Sequence, residues 1–158
     1  MIERTLIILK PDAIQRGLMG RILNRFEEKG LKVVGAKFQL LPRALVEKHY
    51  EPHKAKPFYP GLVDYMCKGP VLVLCLEGPF CIEACRNLMG ATFGYKAAAG
   101  TIRGDFTASK GMNLVHGSDS PEAARHEIEL FFRSEELVAY ELGNSAWMCS
   151  DEDRKSAS

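Results

Sequence analysis

Thr5-Leu6-Ile7-Ile8-Leu9-Lys10-Pro11-Asp12 is a continuous apolar, β-branched run that ends on a charge and a proline. A run without polar alternation predicts a strand buried on both faces. The proline ends it and leaves Lys10 at the strand mouth, either solvated or turned toward a ligand. Beyond it, Ile14, Leu18, Ile22 and Phe26 recur at four-residue steps up to Lys29-Gly30, predicting one amphipathic helix over 13–30 with a basic last turn and a glycine stop. Residues 31–40 predict a second strand with a bulge at Gly35, and 70–77, closed by Gly78-Pro79, a third strand buried on both faces. A helix over 80–89, a fourth strand over 112–116 and a helix over 121–132 follow. Another short helix begins at Ser134 and ends near Gly143.

Between the second and third strands, 42–50 and 61–67 read as two helices joined by a basic, proline-punctuated elbow. That elbow exposes Phe58 beside lysines, where an aromatic ring can stack on a base or simply tuck back onto its own fold. With this helical hairpin set aside, the core order is β-α-β-β-α-β. This is the α+β, ferredoxin-like arrangement of a four-stranded antiparallel sheet, here with a long loop and a C-terminal extension.

A chain of 158 residues, 46% hydrophobic, suits one domain, which we expect over 1–148, with 149–158 as a polar, disordered tail. No apolar run approaches the ~20 residues of a membrane span, and Met1-Ile2-Glu3-Arg4 has no signal-peptide architecture. The expectation is a soluble, cytoplasmic protein with no membrane partner. Five cysteines, mostly in apolar segments and without C-x-x-C spacing, support neither a disulfide framework nor a zinc site. The net charge of +1 argues against nucleic acid as the main partner, although residues 1–56 carry 12 basic and 6 acidic side chains and residues 121–158 carry 4 and 9. The two halves can attract one another within the fold, or the front half can supply a basic pocket wall.

The chemistry gathers at Asn113-Leu114-Val115-His116-Gly117-Ser118-Asp119-Ser120. Ser120 as N-cap with Pro121 at the first helical position starts a helix whose free N–H groups favour a phosphate near His116. A lone histidine after apolar residues is more often structural, so the rest of the chain has to decide. On the helix from Pro121, Ala124, Ile128 and Phe131 define the buried stripe, and Glu127 falls inside the apolar arc. A carboxylate there needs a buried donor, and His116 is a plausible one. On the helix over 80–89, Arg86 falls within the stripe of Ile82, Cys85 and Met89 and also needs a partner. The unpatterned stretch 91–111, flanked by Thr92 and Arg103, is long enough to be functional or disordered. Cations and a helix N-terminus around a histidine describe a phosphoryl-transfer site. Neither a P-loop nor a dinucleotide-binding glycine turn is present to account for it.

The chain resembles the nucleoside diphosphate kinases through Arg4-Thr5-Leu6 with Lys10-Pro11-Asp12-Ala13, His53-Lys54 with Lys56-Pro57-Phe58, Gly100-Thr101-Ile102-Arg103-Gly104-Asp105-Phe106, and Asn113 with His116-Gly117-Ser118-Asp119-Ser120. The likeness spans about residues 3–148. It implies a ferredoxin-like homo-oligomer, commonly a hexamer, that passes the terminal phosphate of nucleoside triphosphates to nucleoside diphosphates with Mg²⁺. By the same resemblance His116 is the nucleophile that becomes phosphohistidine, in two successive transfers. Lys10, Arg86, Thr92 and Arg103 hold phosphates, Tyr50 supports Lys10, Phe58 stacks on the base, and Asn113 with Lys10 faces the sugar. Ser118 and Glu127 orient the imidazole, and no protein side chain is assigned directly to Mg²⁺. Where the family carries Asn-Pro after the threonine and a proline before Gly100, this chain has Phe93-Gly94 and Ala99, which removes stiffening residues from the long loop. The alternatives are another phosphohistidine phosphotransferase, separated by the acceptor of the phosphate, and a non-enzymatic interaction or nucleic-acid-binding module.

Overall fold

β1 (Ile2–Leu9) runs through the middle of the sheet, between β3 (Val71–Pro79) and the short β4 (Val115–Gly117), and β2 (Lys32–Gln39) pairs on the far side of β3. The order is β2-β3-β1-β4 with every pairing antiparallel, the ferredoxin-like sheet. This computed structural model describes residues 2–155.

The unbroken apolar runs of β1 and β3 are explained by helices on both faces. On one face Ile7, Leu9, Leu72, Leu74 and Leu76 pack with Ile22 and Phe26 of α2 (Met19–Glu28) and with Cys81, Cys85 and Met89 of α5 (Cys81–Met89). On the other, Leu6, Ile8, Val71, Val73 and Cys75 meet Val46 of α3 (Arg43–His49), Val63 and Met66 of α4 (Tyr59–Met66), and Ile128 and Phe131 of α7 (Pro121–Phe131). Side chains alternate between faces along a strand, so an antiparallel strand covered on both sides shows no polar alternation.

The element boundaries differ from the periodicity in several places. The helix expected over 13–30 is two, α1 (Pro11–Gln15) and α2, because Gly17 adopts φ +67° and closes α1: its N–H bonds the Ile14 carbonyl and the Leu18 N–H bonds that of Ala13. Only a glycine takes that left-handed position without strain, and the repeat of apolar residues survives the break. β2 bulges between Val33 and Gly35, as expected. β3 extends through Gly78-Pro79 instead of ending there, since Pro79, opposite Ile2, is the last residue of the pairing and need not continue the ladder. β4 is three residues long rather than five. Leu114 sits at φ +70°, held by the Leu114 N–H to Asp12 Oδ2 (3.1 Å) and by the Lys10 N–H to the Leu114 carbonyl (2.8 Å). Such a backbone costs ~1–3 kcal/mol and persists where its surroundings over-determine it.

The stretch 91–111 is ordered by local hydrogen bonds that periodicity does not register. It contains a 3₁₀ turn, Gly94–Lys96, and α6 (Ile102–Phe106), whose N-cap Thr101 accepts the Gly104 N–H. Gly94, where the family pattern has proline, donates its N–H to Ser109 O at 3.0 Å, and a Cβ there would lie 2.3 Å from the Thr107 carbonyl. Phe93 stacks on Tyr95 with centroids 6.1 Å apart. Backbone contact does here what a ring constraint would do. After α7, Ser134–Glu136 is a single 3₁₀ turn, and the helix expected up to Gly143 is replaced by extended chain: Val138 N–H bonds Val34 O and Tyr140 Oη bonds Val33 O. α8 (Ser145–Met148) follows, and the polar segment from Cys149, expected to lack structure, carries α9 (Asp151–Lys155), started by reciprocal Ser150 and Asp153 bonds. Residues 156–158 of that segment lie outside the described residues. All five cysteines are free, and Lys37 of the basic front half pairs with Glu136 of the acidic back half at 2.5 Å. Among the described residues no helix is long and apolar enough to cross a membrane.

Candidate functional site

β4 lies beside β1 with His116 opposite Ile8, which points the histidine to the face covered by α3 and α7. Ser120 caps α7 by accepting the Ala123 N–H, with Pro121 in the first turn, as its sequence predicts. α7 carries Glu127 back to β4. Glu127 Oε2 lies 3.0 Å from His116 Nε2 and accepts Ser118 Oγ–H at 2.6 Å, while Ser118 is tied to β1 by its N–H to Leu6 O and by Leu6 N–H to its hydroxyl. The carboxylate in the apolar arc therefore has two donors. Burial opposes its ionisation, but hydrogen bonds from His116 and Ser118 leave its carboxyl below the ordinary value. An ionised carboxylate only accepts, so Nε2 carries the imidazole proton and Nδ1 holds the free lone pair.

The cations gather at the same end of the sheet. Lys10 is buried and donates to Asn113 Oδ1 at 2.7 Å, and Asn113 Nδ2 reaches the Thr92 carbonyl at 3.0 Å. Burial, with the charge of Arg103 acting the same way against Asp12, brings the Lys10 ammonium down to about 8. Arg103 is 3% exposed and faces no carboxylate: its three nitrogens donate to the carbonyls of Asn113, Gly90 and Val115 at 3.1, 3.0 and 2.6 Å. Burial and nearby Arg86 bring its guanidinium down to about 10, so it stays charged at neutral pH. Lys10, Arg103, Thr92 and Asn113, from separate segments, thus meet at the ends of β1 and β4.

Arg86 departs from its expected position. It is exposed rather than core-facing, because Cys85 and Met89 take the buried stripe and its long side chain leaves the core to put Nη1 3.4 Å from the Gly117 carbonyl, next to His116. Tyr50, expected to support Lys10, is buried, and its hydroxyl has no hydrogen-bond partner. Its ring instead belongs to a file of rings, His116, Tyr50, His53 and Phe58, with successive centroids 6.2, 6.4 and 5.7 Å apart. Phe58, 54% exposed with Lys56 Nζ 5.7 Å from its centroid, stands at the outer end on the elbow.

Two residues went unassigned in the sequence reading. Asp12 is buried, accepts Leu114 N–H and Tyr65 Oη–H, and so sets the turn that delivers His116. Its signal was its place in the first turn of the helix after Lys10-Pro11. His49 lies beside the nucleophile, its ring centroid 4.6 Å from that of His116. It falls three residues after Val46 on the core-facing side of α3, where a histidine is conspicuous.

Comparison with known proteins agrees with this geometry. The family model for nucleoside diphosphate kinases matches residues 3–137. A nucleoside diphosphate kinase of Herpetosiphon aurantiacus is 53% identical over 146 residues, which are 92% of this chain and 98% of that protein. The structure of a halophilic nucleoside diphosphate kinase from Halobacterium salinarum in complex with CDP superposes with a TM-score of 0.92 at 46% identity, covering 95% of this chain and all (100%) of that one. A transition-state mimic of the Borrelia burgdorferi enzyme with bound vanadate and ADP does so with 0.88 at 32% identity, over 94% and 98%. With a ferredoxin-like sheet delivering a carboxylate-braced histidine into a cluster of cations, and relatives alike over nearly their whole length, the chain belongs to the nucleoside diphosphate kinase family.

Proposed function

We propose that His116 Nδ1 is the atom that carries the phosphate in the reaction of this family, transfer of the terminal phosphate of a nucleoside triphosphate to a nucleoside diphosphate by a ping-pong route. The observation that carries this reading is the Glu127–His116 bond at Nε2, because it fixes the tautomer in which Nδ1 is a nucleophile. The Nδ1 lone pair forms a bond to the terminal phosphorus as the bond to the bridging oxygen breaks. The nucleoside diphosphate leaves, and Glu127 balances the positive charge that grows on the ring. A second nucleoside diphosphate attacks the phosphohistidine through its terminal oxygen and restores the imidazole.

Positioning and charge do the remaining work. Lys10, Arg86 and Arg103 hold the phosphates with Thr92, Asn113 with Lys10 faces the sugar, Phe58 stacks on the base, and Tyr50 supports the Lys10 side of the pocket through packing. A stacked base with its edges unread predicts tolerance among nucleosides. The family uses a divalent cation, and we assign Mg²⁺. The groups that face the phosphates here are cations, which suit an anion and repel a bare hard metal, so Mg²⁺ comes as part of the nucleotide substrate. The enzyme works as a homo-oligomer, with a hexamer favoured. The exposed side chains of Phe38 in β2, of Leu40 just after it, and of Trp147, 91% exposed, are surfaces suited to such contacts. Free cysteines fit a cytoplasmic setting.

The deciding experiment is to label the enzyme with γ-labelled ATP, remove the nucleotide and add ADP or GDP. Return of the label to both is expected. Retention of the label with both would leave a different phosphohistidine transferase, and no labelling at all would leave an interaction module.

Glu127→Ala is expected to lower kcat roughly 10²-fold while nucleotide dissociation constants change little, since Glu127 orients the ring and touches no nucleotide. Steady-state rates with calorimetric nucleotide binding test this, and undiminished turnover would refute the orienting role. Lys10 sets the alkaline limb. It is charged below about 8, so kcat/KM should fall as pH rises past that value, whereas kcat should hold to higher pH because bound phosphates raise the lysine's pKa. Lys10→Met should flatten the limb. The stability effect has the opposite sign: the unfolded chain binds the extra proton between about 8 and 10.5, so this group's contribution to stability rises with pH across that window.

A further inference from the structure

We propose that His49, His116 and Glu127 form a site for one zinc-class divalent ion, and that the bound ion silences the nucleophile. One donor atom from each residue lies within 4.8 Å of the other two. His116 Nε2 and Glu127 Oε2 are already 3.0 Å apart. His49 is 9% exposed, and neither of its ring nitrogens has a hydrogen-bond partner. A buried imidazole left unpaired is costly, and the family reaction gives His49 no task. His116 and Glu127 keep 20% and 14% of their side-chain surface exposed, so the donors can be reached from the nucleotide pocket.

The chemistry of the donors selects the ion. Two imidazoles and one carboxylate are the protein ligands of open four-coordinate zinc sites, with metal–ligand distances of about 2.0–2.2 Å and therefore ligand–ligand distances of about 3.3–3.6 Å. The donors, now within 4.8 Å of one another, draw together on the ion. Mg²⁺ and Ca²⁺ demand oxygen ligands and find a single carboxylate, so the nucleotide's own cation does not compete here. The buried Lys10 ammonium, close by, opposes the ion's charge and Glu127 offsets it, which favours a reversible site over a permanent one.

Binding moves the His116 proton from Nε2 to Nδ1 through solvent as the Nε2–metal bond forms, so the ligand is a neutral imidazole. Glu127 then ligates the ion instead of accepting that proton. With its proton on Nδ1 the ring has no lone pair left to attack phosphorus, and phosphohistidine does not form until the ion is removed. This second step rests on His116 being the nucleophile; binding itself does not.

The test uses the full chain free of nucleotide, with Zn²⁺ alone by calorimetry and Co²⁺ alone by visible absorption. One equivalent is expected, with intense ligand-field bands of tetrahedral cobalt. His49→Phe, which keeps a ring against Phe131 and Tyr50, should weaken Zn²⁺ binding at least about 10-fold, as should His116→Ala. In the absence of zinc His49→Phe should label from ATP as the unsubstituted enzyme does, and it should resist zinc concentrations that block the latter. Melting curves verify that both variants are folded. Unchanged affinity in either variant, or a strong thiolate-to-cobalt charge-transfer band, would overturn the site. Stoichiometric binding that depends on His49 yet leaves labelling by ATP undisturbed would overturn the silencing step, whereas label that persists in His116→Ala would overturn the assignment of the nucleophile.

Discussion

His116→Ala is expected to leave a folded protein that takes no label from γ-labelled ATP and whose turnover is lower by on the order of 10⁴-fold or more, the scale of removing a nucleophile from a concerted catalytic unit. Structure should survive because the side chain is partly exposed and makes one hydrogen bond, to Glu127, which retains Ser118. Nucleotide affinity should be kept within a few-fold, since Lys10, Arg103 and Phe58 remain. The measurement is acid-labile incorporation of label alongside nucleotide binding by calorimetry. Persistent acid-labile label in the variant would move the nucleophile elsewhere, with His49 and His53 the neighbouring histidines to substitute next. An equal loss of nucleotide binding would instead mean that the imidazole mainly supports the pocket.

Arg103→Ala should be the most destabilising single change at the site. The three guanidinium nitrogens bind the carbonyls of Gly90, Asn113 and Val115, so one buried side chain joins the end of α5, the turn before β4 and β4 itself. Truncation removes the guanidinium donor from the Gly90 and Val115 carbonyls, leaves the Asn113 carbonyl with the Val115 N–H alone, and opens a cavity at a buried position. With hydrogen bonds to a charged group worth ~1.5–3 kcal/mol apiece and partial relaxation, a loss of about 3–5 kcal/mol is expected. For a chain of this size that lowers Tm by ~10 °C. Arg103→Lys should recover only part of it, because one ammonium cannot reproduce a planar fork aimed at three carbonyls. Thermal melts of both variants, with KM measured well below their Tm, separate scaffolding from phosphate binding. A Tm within 2–3 °C of the unsubstituted protein, below about 1 kcal/mol, would show the loop to be held by Thr101 and Gly94 instead.

Local chemistry was readable where it was self-contained. Thr5 to Leu9 as a doubly buried strand, Ser120-Pro121 as a helix start and Glu127 as a carboxylate in need of a donor each depend on a few neighbouring residues and on helical or strand period. Placing Arg86 failed for a related reason: a helical projection fixes where Cα lies, but a long side chain can leave the stripe it starts from. The 91–111 stretch was opaque because Thr101, Gly94 and Arg103 order it through hydrogen bonds to backbone, which have no periodicity.

The amino-acid sequence by itself determined the ferredoxin-like order of elements, the family motifs and the need of Glu127 for a buried donor, since all of these follow from patterns and spacings along one chain. Only the tertiary structure decided which nitrogen of His116 is free, how Lys10 and Arg103 are buried against carbonyls and an amide, and that His49 stands against the nucleophile with no partner of its own. Those facts depend on distances between residues far apart in sequence, 67 positions in the case of His49 and His116. The packing of α3 and α7 on the same face of the sheet sets them, and no local pattern encodes it.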